Sequence, residues 1–315
     1  MNFIQQAYKG KNDWWMYILT FGVIFIAIQF ASLPLVLAGY LAADGDMTKF
    51  REEARSNFMN SDIDSNLFLA LMIFTFMVAI LVLYVFIKYV HKRIFKSVIT
   101  SRLKIDWSRF WFSFILWGSI AIVISAIGIY LYPEDFVWNF KPVPFFTLLL
   151  VSFLMLPFQT SAEELVFRGY LMQGLGLLAK NRWFPLIITS LAFGLLHGIN
   201  PEVEKLGWGV MVFYIGTGFL YGITTLMDEG TELALGLHAS NNIVAAIFVT
   251  TDWTVFQTDA LYIDTSEPSI GWEILVPVLI IYPILLFIFS NKYAWKDWQE
   301  KLTGSVDKPH ELIDE

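Results

Sequence analysis

The stretch LFLALMIFTFMVAILVLYVFI, residues 67–87, decides the fold class. It contains no Asp, Glu, Lys or Arg, and it is long enough to cross a bilayer, which takes about 20 apolar helical residues. Uncharged runs of similar character occur at 14–43, 110–133 and 206–227. A single soluble core could not hide so much apolar surface. We therefore predict an all-α, polytopic membrane helix bundle, because lipid forces each spanning segment to satisfy its own backbone hydrogen bonds.

The overall composition agrees with this prediction. Of 315 residues, 57% are hydrophobic and only 16% are charged, and the mean hydropathy is +0.59. The chain has no cysteine, which excludes disulfides, thiolate nucleophiles and cysteine metal sites. No basic cluster with interleaved aromatic residues is present, so we expect no nucleic-acid partner.

The apolar runs predict about eight transmembrane helices. Their predicted ranges are 14–42, 67–90, 110–132, 144–178, 184–200, 207–227, 232–250 and 272–290. We divide the chain into N-terminal helices and loops (1–143), a core (144–250), and an outer loop, last helix and tail (251–315). Small-residue pairs at Gly194 and Gly198, and at Gly218 and Gly222, predict close helix–helix approach within the core.

Lysine and arginine predict the orientation, since these residues accumulate in cytoplasmic loops. With the N-terminus inside, most of the 21 basic residues lie in inner loops and the tail. The predicted outer loops hold only Lys49, Arg51, Arg55, Lys141 and Lys205. We expect a multi-pass protein of the cell membrane with both termini in the cytoplasm.

The sequence SAEELVFRGYL, residues 161–171, places three charged side chains inside the fourth predicted span. An ionisable group at the bilayer centre costs about 2.5–3.5 kcal/mol on insertion scales, so it usually pairs or does chemistry. Glu164 and Arg168 are four residues apart, share a helix face and can pair. Glu163 is turned by roughly 100° from Glu164 and can face a water-filled cavity.

Two other predicted spans carry polar residues at comparable depth. His197 ends the phrase FGLLH, in which Phe193 shares its helix face. His238 begins HASNN, in which Asn242 lies four residues on, so the two side chains can present hydrogen-bond donors together. A desolvated carboxylate, imidazoles and neutral donors suit the attack of an activated water molecule on a carbonyl group.

The phrases EELVFR, FGLLH and HASNN resemble the motifs EExxxR, FxxxH and HxxxN of the CPBP family, also called the ABI family. Its members are CAAX-prenyl-protease-like and bacteriocin-processing intramembrane endopeptidases. The resemblance covers residues 144–250 and makes that range a protease core. It implies that membrane lipid and a peptide or protein substrate are the partners, and the oligomeric state stays open.

Each motif residue inherits a role from the resemblance. Glu163 would activate water, His197 would help to hold it, and His238 and Asn242 would form an oxyanion hole. The supporting residues would be Glu164, Arg168 and Phe193. The family is discussed both as metal-dependent and as metal-independent, and we favour no cofactor here. A divalent metal such as zinc stays open, with Glu163, His197 and His238 as its ligands.

Two other functions stay open on the sequence alone. The chain could be a non-catalytic membrane scaffold or immunity protein, in which the polar residues serve folding. It could also be a proton-coupled transporter that uses the buried carboxylates as a relay. Acidic residues in the short loops of the core are expected to be solvated, and these are Glu202, Glu204, Asp228, Glu229 and Glu232.

Overall fold

The computed structural model describes residues 1–59 and 61–309, and it is a bundle of helices. All eight predicted spans are helical, with ends within a few residues of the predicted ones. They are α1 (Trp14–Ala42), α2 (Ser65–Val90), α3 (Trp107–Leu131), α4 (Pro142–Ala179), α5 (Trp183–Ile199), α6 (Trp208–Asp228), α7 (Glu232–Ile247) and α8 (Ile274–Lys292). The end of the predicted C-terminal segment, residues 310–315, lies outside the described part of the chain.

Six of these helices are long and apolar enough to cross a membrane, counted over the described residues. The other two, α5 and α7, are shorter, and they carry two of the three polar motifs. The polytopic membrane bundle is therefore confirmed. Helix α7 is largely buried, whereas α5 keeps exposed apolar residues such as Leu195 and Leu196.

Burial separates central helices from peripheral ones. In their most apolar windows, only 11% of the residues of α1 and of α3 are buried, against 61% for α6. Large side chains such as Phe25 and Phe30 on α1 are exposed. These apolar faces are the surfaces that lipid covers.

Helix ends follow from ordinary capping chemistry. The Asp64 carboxylate accepts hydrogen bonds from the backbone N–H groups of Asn66 and Leu67 and starts α2. Asp106 caps α3 in the same way through Ser108. Two left-handed residues, Lys180 (φ 54°) and Glu229 (φ 56°), end α4 and α6 and reverse the chain.

The predicted close approach of small residues is found between α5 and α6. A Cβ atom on Gly218 would lie 2.5 Å from the Ser190 carbonyl oxygen, and one on Gly194 would lie 2.9 Å from the Ile215 backbone. Gly222 packs against the Leu186 side chain. Gly198 makes only ordinary contact with a Trp208 ring, so the first pair of glycines contributes through Gly194 alone.

A small sheet, which the sequence analysis did not predict, joins two loops. Strand β1 (Phe136–Trp138) pairs antiparallel with β3 (Tyr262–Asp264), and β2 (Val249–Thr250) pairs parallel with β3. The order is β1-β3-β2. This sheet, the helix Met47–Arg55 and the helix Pro201–Leu206 form the end of the bundle that we call the distal face.

Both described termini lie at the opposite end, which we call the terminal face. The short helix Ile4–Lys9 packs on α4, and the Gln5 side chain donates to the Asp307 carbonyl at 3.0 Å. The carboxylate of Glu229 binds the Phe3 N–H, Arg182 and Lys301. Short connecting helices complete the fold at Phe95–Val98, Pro133–Asp135 and Trp298–Thr303.

Most of the core acids predicted to be solvated are buried, and that prediction is wrong for them. Asp228 pairs with Arg102 at 2.8 Å and with Arg109 at 2.6 Å, and Glu232 pairs with Arg102 at 3.1 Å. Arg102, from the loop before α3, and Arg109, from the first turn of α3, both lie over the α6–α7 turn. Only Glu204 is exposed as expected, and Glu202 lies inside a cavity described below.

Candidate active site

The first motif lies in the middle of α4, where the helix changes its winding. Residues Leu165–Leu171 form a π-helical segment between two α-helical parts, Pro142–Glu164 and Met172–Ala179. Such segments often occur at functional sites, because they re-aim side chains along a helix. Here the two neighbouring carboxylates face different surroundings: Glu163 is partly exposed to a cavity, and Glu164 is fully buried.

Glu164 is the buried carboxylate that holds His238 from the side away from the cavity. Its Oε1 accepts a hydrogen bond from Arg168 at 3.1 Å and one from Nδ1 of His238 at 2.8 Å. Arg168 is itself completely buried, donates to the Gly218 carbonyl at 3.1 Å and lies 4.1 Å from the centre of the Phe193 ring. These contacts fix the orientation of the His238 ring through its Nδ1, since a charge-assisted hydrogen bond between buried groups is strong and directional.

Glu163 lies on the cavity side of His238. Its Oε1 accepts from the Gln159 amide at 3.0 Å, and its Oε2 is 3.7 Å from Nε2 of His238. That Oε2 is buried and has no hydrogen-bond partner. A polar gap of this length suits a bridging water molecule.

Asn242, on α7, is connected to Glu163 through a shared partner, Gln159. Its amide donates to Oε1 of Gln159 at 3.0 Å, so Gln159 bridges Asn242 and Glu163. Asn241 donates to the Asn242 side-chain oxygen at 3.1 Å and accepts from the Trp117 indole of α3 at 3.2 Å. The amide of Asn242 is thus oriented from two sides.

His197 lies at the C-terminal end of α5, where the helix passes into a 3₁₀ turn, His197–Ile199. Its Nδ1 donates to the Phe193 carbonyl at 2.8 Å, so its Nε2 is the acceptor in the neutral ring. The ring stacks on Tyr214 at 4.5 Å between centroids and packs beside Phe193 at 4.8 Å. The prediction that Phe193 and His197 lie side by side on one helix face is therefore confirmed.

One cavity of about 280 Å³ brings the predicted residues together. It runs from the distal loops into the middle of α4, and its predicted site residues are Glu163, Phe193, His197, His238 and Asn242. The remaining two, Glu164 and Arg168, lie behind His238 and do not line it.

Several cavity residues were not predicted to be functional. Gln159 lies four residues before Glu163, a spacing that places it on the same helix face and could have identified it. Tyr221 stacks on His238 at 5.0 Å, and no sequence pattern indicates that contact. Glu202 was expected in a solvated loop, yet it is only 8% exposed and lines the cavity.

The three residues left open as zinc ligands do not form a recognisable metal-binding group among the described residues. Within residues 1–59 and 61–309, no three His, Asp or Glu side chains are grouped closely enough to hold a metal ion. Nδ1 of His197 and Nδ1 of His238 are both engaged by protein acceptors, so only Nε2 of each ring is left to bind another group. Of the two histidines, only His238 has a ring nitrogen within 4 Å of Glu163, with Nε2 at 3.7 Å from Oε2.

Comparison with known proteins gives two matches. Residues 142–244 match the family described as "Type II CAAX prenyl endopeptidase Rce1-like". The chain is also 32% identical to "Uncharacterized protein YyaK" of Bacillus subtilis (strain 168), over 97% of this chain and all of that one. No solved structure matches.

Proposed function

We propose that this chain, which belongs to the Rce1-like family of CAAX-protease-like membrane proteins, hydrolyses peptide bonds by a glutamate-activated water molecule. The observation that carries the proposal is the convergence of Glu163, His197, His238 and Asn242 on one cavity. Residues 144–250 would form the protease core, and the remaining helices would hold it in the membrane. The substrate would be a peptide or protein segment at the membrane.

Glu163 is the proposed general base. The residue lines the cavity; its Oε1 is held by Gln159, whereas its Oε2 has no hydrogen-bond partner. A carboxylate held on one side and free on the other can take a proton from water while the water oxygen attacks the carbonyl carbon. The same proton can then pass to the departing amine, so the carboxylate is regenerated.

His238 and Asn242 are the proposed oxyanion donors. Because Glu164 accepts from Nδ1, His238 can donate from Nε2 only when both of its nitrogens carry protons. Glu164 supports that charged ring. One N–H of the Asn242 amide is donated to Gln159, so the second N–H can donate to the developing oxyanion, and such a donor accounts for roughly 100- to 1,000-fold in rate.

His197 is the proposed holder of the attacking water. Its Nε2 acceptor, set by the Phe193 carbonyl on the other nitrogen, can receive a hydrogen from water. We propose that no cofactor or metal is required, because the chain's own carboxylate, imidazoles and amide supply base, water holder and oxyanion donors.

The test compares purified wild-type protein in nanodiscs with Glu163→Gln and Glu163→Ala on a library of internally quenched fluorescent peptides. We expect both variants to lose roughly 100- to 10,000-fold in cleavage rate, the contribution of a positioned acid–base group. Glu300→Gln is the matched control, because Glu300 is exposed on the terminal face. It should cleave at the wild-type rate.

Glu163 variants that cleave as fast as wild type would exclude the base role. A wild-type protein that cleaves nothing, while Glu163→Ala lowers only thermal stability, would favour the scaffold. The cofactor part is tested by dialysis against 1,10-phenanthroline, which should leave the rate unchanged. A rate lost on dialysis and restored by zinc would overturn it.

A further inference from the structure

A second carboxylate, that of Glu202, lines the same cavity as Glu163. It comes from the short distal helix Pro201–Leu206, five residues after His197. Its side chain is more than nine-tenths buried. Glu204, two residues further on, is exposed and does not line this cavity. Burial in this helix is thus confined to Glu202 and Val203 and is not shared by the whole helix.

A structural role accounts for only one of the two oxygens of the Glu202 carboxylate. Its Oε1 accepts from the Val255 N–H at 2.9 Å and ties the distal helix to the loop before β3. Its Oε2 is buried and has no hydrogen-bond partner. An unsatisfied buried carboxylate oxygen is costly, and more so than a neutral group. The second oxygen therefore indicates a partner that enters the cavity.

The charged residues that line the cavity indicate the charge of the group that would bind to Glu202. The described residues that line it include two carboxylates, Glu163 and Glu202, two imidazoles, His197 and His238, and no lysine or arginine. When His238 carries its second proton, one carboxylate charge is still left without a balancing cation. Burial raises the pKa of Glu202, while hydrogen bonds from the backbone of Val255 and of Glu202 itself, and then the His197 ring, act in the opposite direction. A cation bound at Oε2 would further favour the ionised form.

We propose that Glu202 is a specificity-determining residue that binds a cationic nitrogen of the substrate, an ammonium or guanidinium group near the bond to be cleaved. This inference rests on the proposed function, because it assigns the substrate of that same site. A volume of about 280 Å³ has room for the residues that flank one bond and not for a long folded segment. The cation can come from a lysine or arginine side chain or from a free α-amino group.

The experiment measures binding without hydrolysis. Nanodiscs carrying the Glu163→Gln protein capture peptides from a positional-scanning octapeptide library, made once with free and once with acetylated N-termini, and mass spectrometry quantifies them. We expect lysine or arginine at one position to be enriched over glutamine by roughly tenfold, as for a hydrogen bond to a charged group. Enrichment that needs the free N-terminus would identify the α-amino group as the source.

Two double variants assign the enrichment. Glu163→Gln with Glu202→Gln keeps an acceptor for Val255 but loses the charge, and it should lose the preference. Glu163→Gln with Glu204→Gln is the matched control and should retain it. Equal capture of lysine and glutamine peptides by the Glu163→Gln protein would overturn the inference, even if the Glu202 variant failed to fold. So would a preference that survives Glu202→Gln or disappears with Glu204→Gln.

Because capture does not depend on cleavage, the two hypotheses fail separately. The proposed function fails when Glu163 variants keep the wild-type rate. The Glu202 inference fails only on the capture pattern.

Discussion

Gln159 occupies a central place among the individual residues of the site. Its amide nitrogen donates to Glu163 and its oxygen accepts from Asn242, both at 3.0 Å. It satisfies one oxygen of Glu163 and one N–H of Asn242, and it keeps the two side chains at a fixed separation. We infer that Gln159 is a positioning residue, since it acts on the reaction through Glu163 and Asn242.

Replacing Gln159 by leucine tests this role. Glu163 would lose the donor that fixes its Oε1, so we expect kcat to fall roughly 10- to 100-fold, the equivalent of one hydrogen bond to a charged group. KM should change little, because Gln159 holds the base in place. Steady-state cleavage by the purified variant measures both constants.

The neighbouring Phe158→Leu substitution is the control, because Phe158 is 45% exposed on the lipid side of α4. It should leave kcat unchanged. A Gln159→Leu protein with normal kcat and raised KM would show that the residue contacts substrate and does not position the base.

At the residue level, the sequence predicted the motif residues and the cavity shows them together, except for Glu164 and Arg168 behind His238. Motif spacing carries this information because each pair lies on one helix face. The contacts of Tyr221 with His238 and of Glu202 with Val255 join separate elements. No local pattern encodes such long-range contacts, so the sequence alone could not predict them.

Among the elements, the α5–α6 contact controls the geometry of the site. The backbone of α6 at Gly218 lies against Ser190 of α5, and the Gly218 carbonyl accepts hydrogen bonds from both Ser190 and Arg168. This close approach places Phe193 and His197 beside Tyr221 and Tyr214. A side chain at position 218 would push the helices apart.

We expect Gly218→Ala to destabilise the protein by about 1–3 kcal/mol, as overpacking a tight contact does. The added methyl group would lie 2.5 Å from the Ser190 carbonyl oxygen, a backbone atom that cannot move away alone. Gly22→Ala on α1 is the control, because nothing lies within 4 Å of its added Cβ. Thermal unfolding in detergent should show a lower midpoint for Gly218→Ala only. Equal midpoints for the two variants would contradict the close packing.

The sequence predicted the helices more completely than their local winding. Long uncharged runs mark membrane helices, so all eight ranges were found near their predicted ends. The π-helical segment Leu165–Leu171 has an ordinary helical composition, so no local pattern distinguishes it from the α-helix on either side. The strands β1 to β3 are two or three residues long, too short for an alternating pattern to reveal them.

Over the whole molecule, the two faces of the bundle differ in what they carry. The terminal face holds both described ends of the chain and the cluster around Glu229, where Arg182 and Lys301 bind its carboxylate. The distal face holds the sheet and the helix with Glu202, next to the cavity. The side of the membrane on which substrate enters therefore depends on which face is cytoplasmic.

We predict that the terminal face is cytoplasmic, because most lysines and arginines outside the membrane lie there. The chain has no cysteine, so single cysteines can be introduced without background. Glu300→Cys reports the terminal face and Glu267→Cys the distal face, and both positions are exposed. In intact cells a membrane-impermeant maleimide should label residue 267 and not residue 300.

Permeabilised cells provide the control, since both cysteines should then react and so prove to be accessible. Labelling of residue 300 alone in intact cells would reverse the orientation. The cavity beside Glu202 would then face the cytoplasm, and the cationic substrate would have to be a cytoplasmic peptide. The predicted pattern instead means that peptide segments reach Glu163 from outside the cell, past the loop that Glu202 holds through Val255.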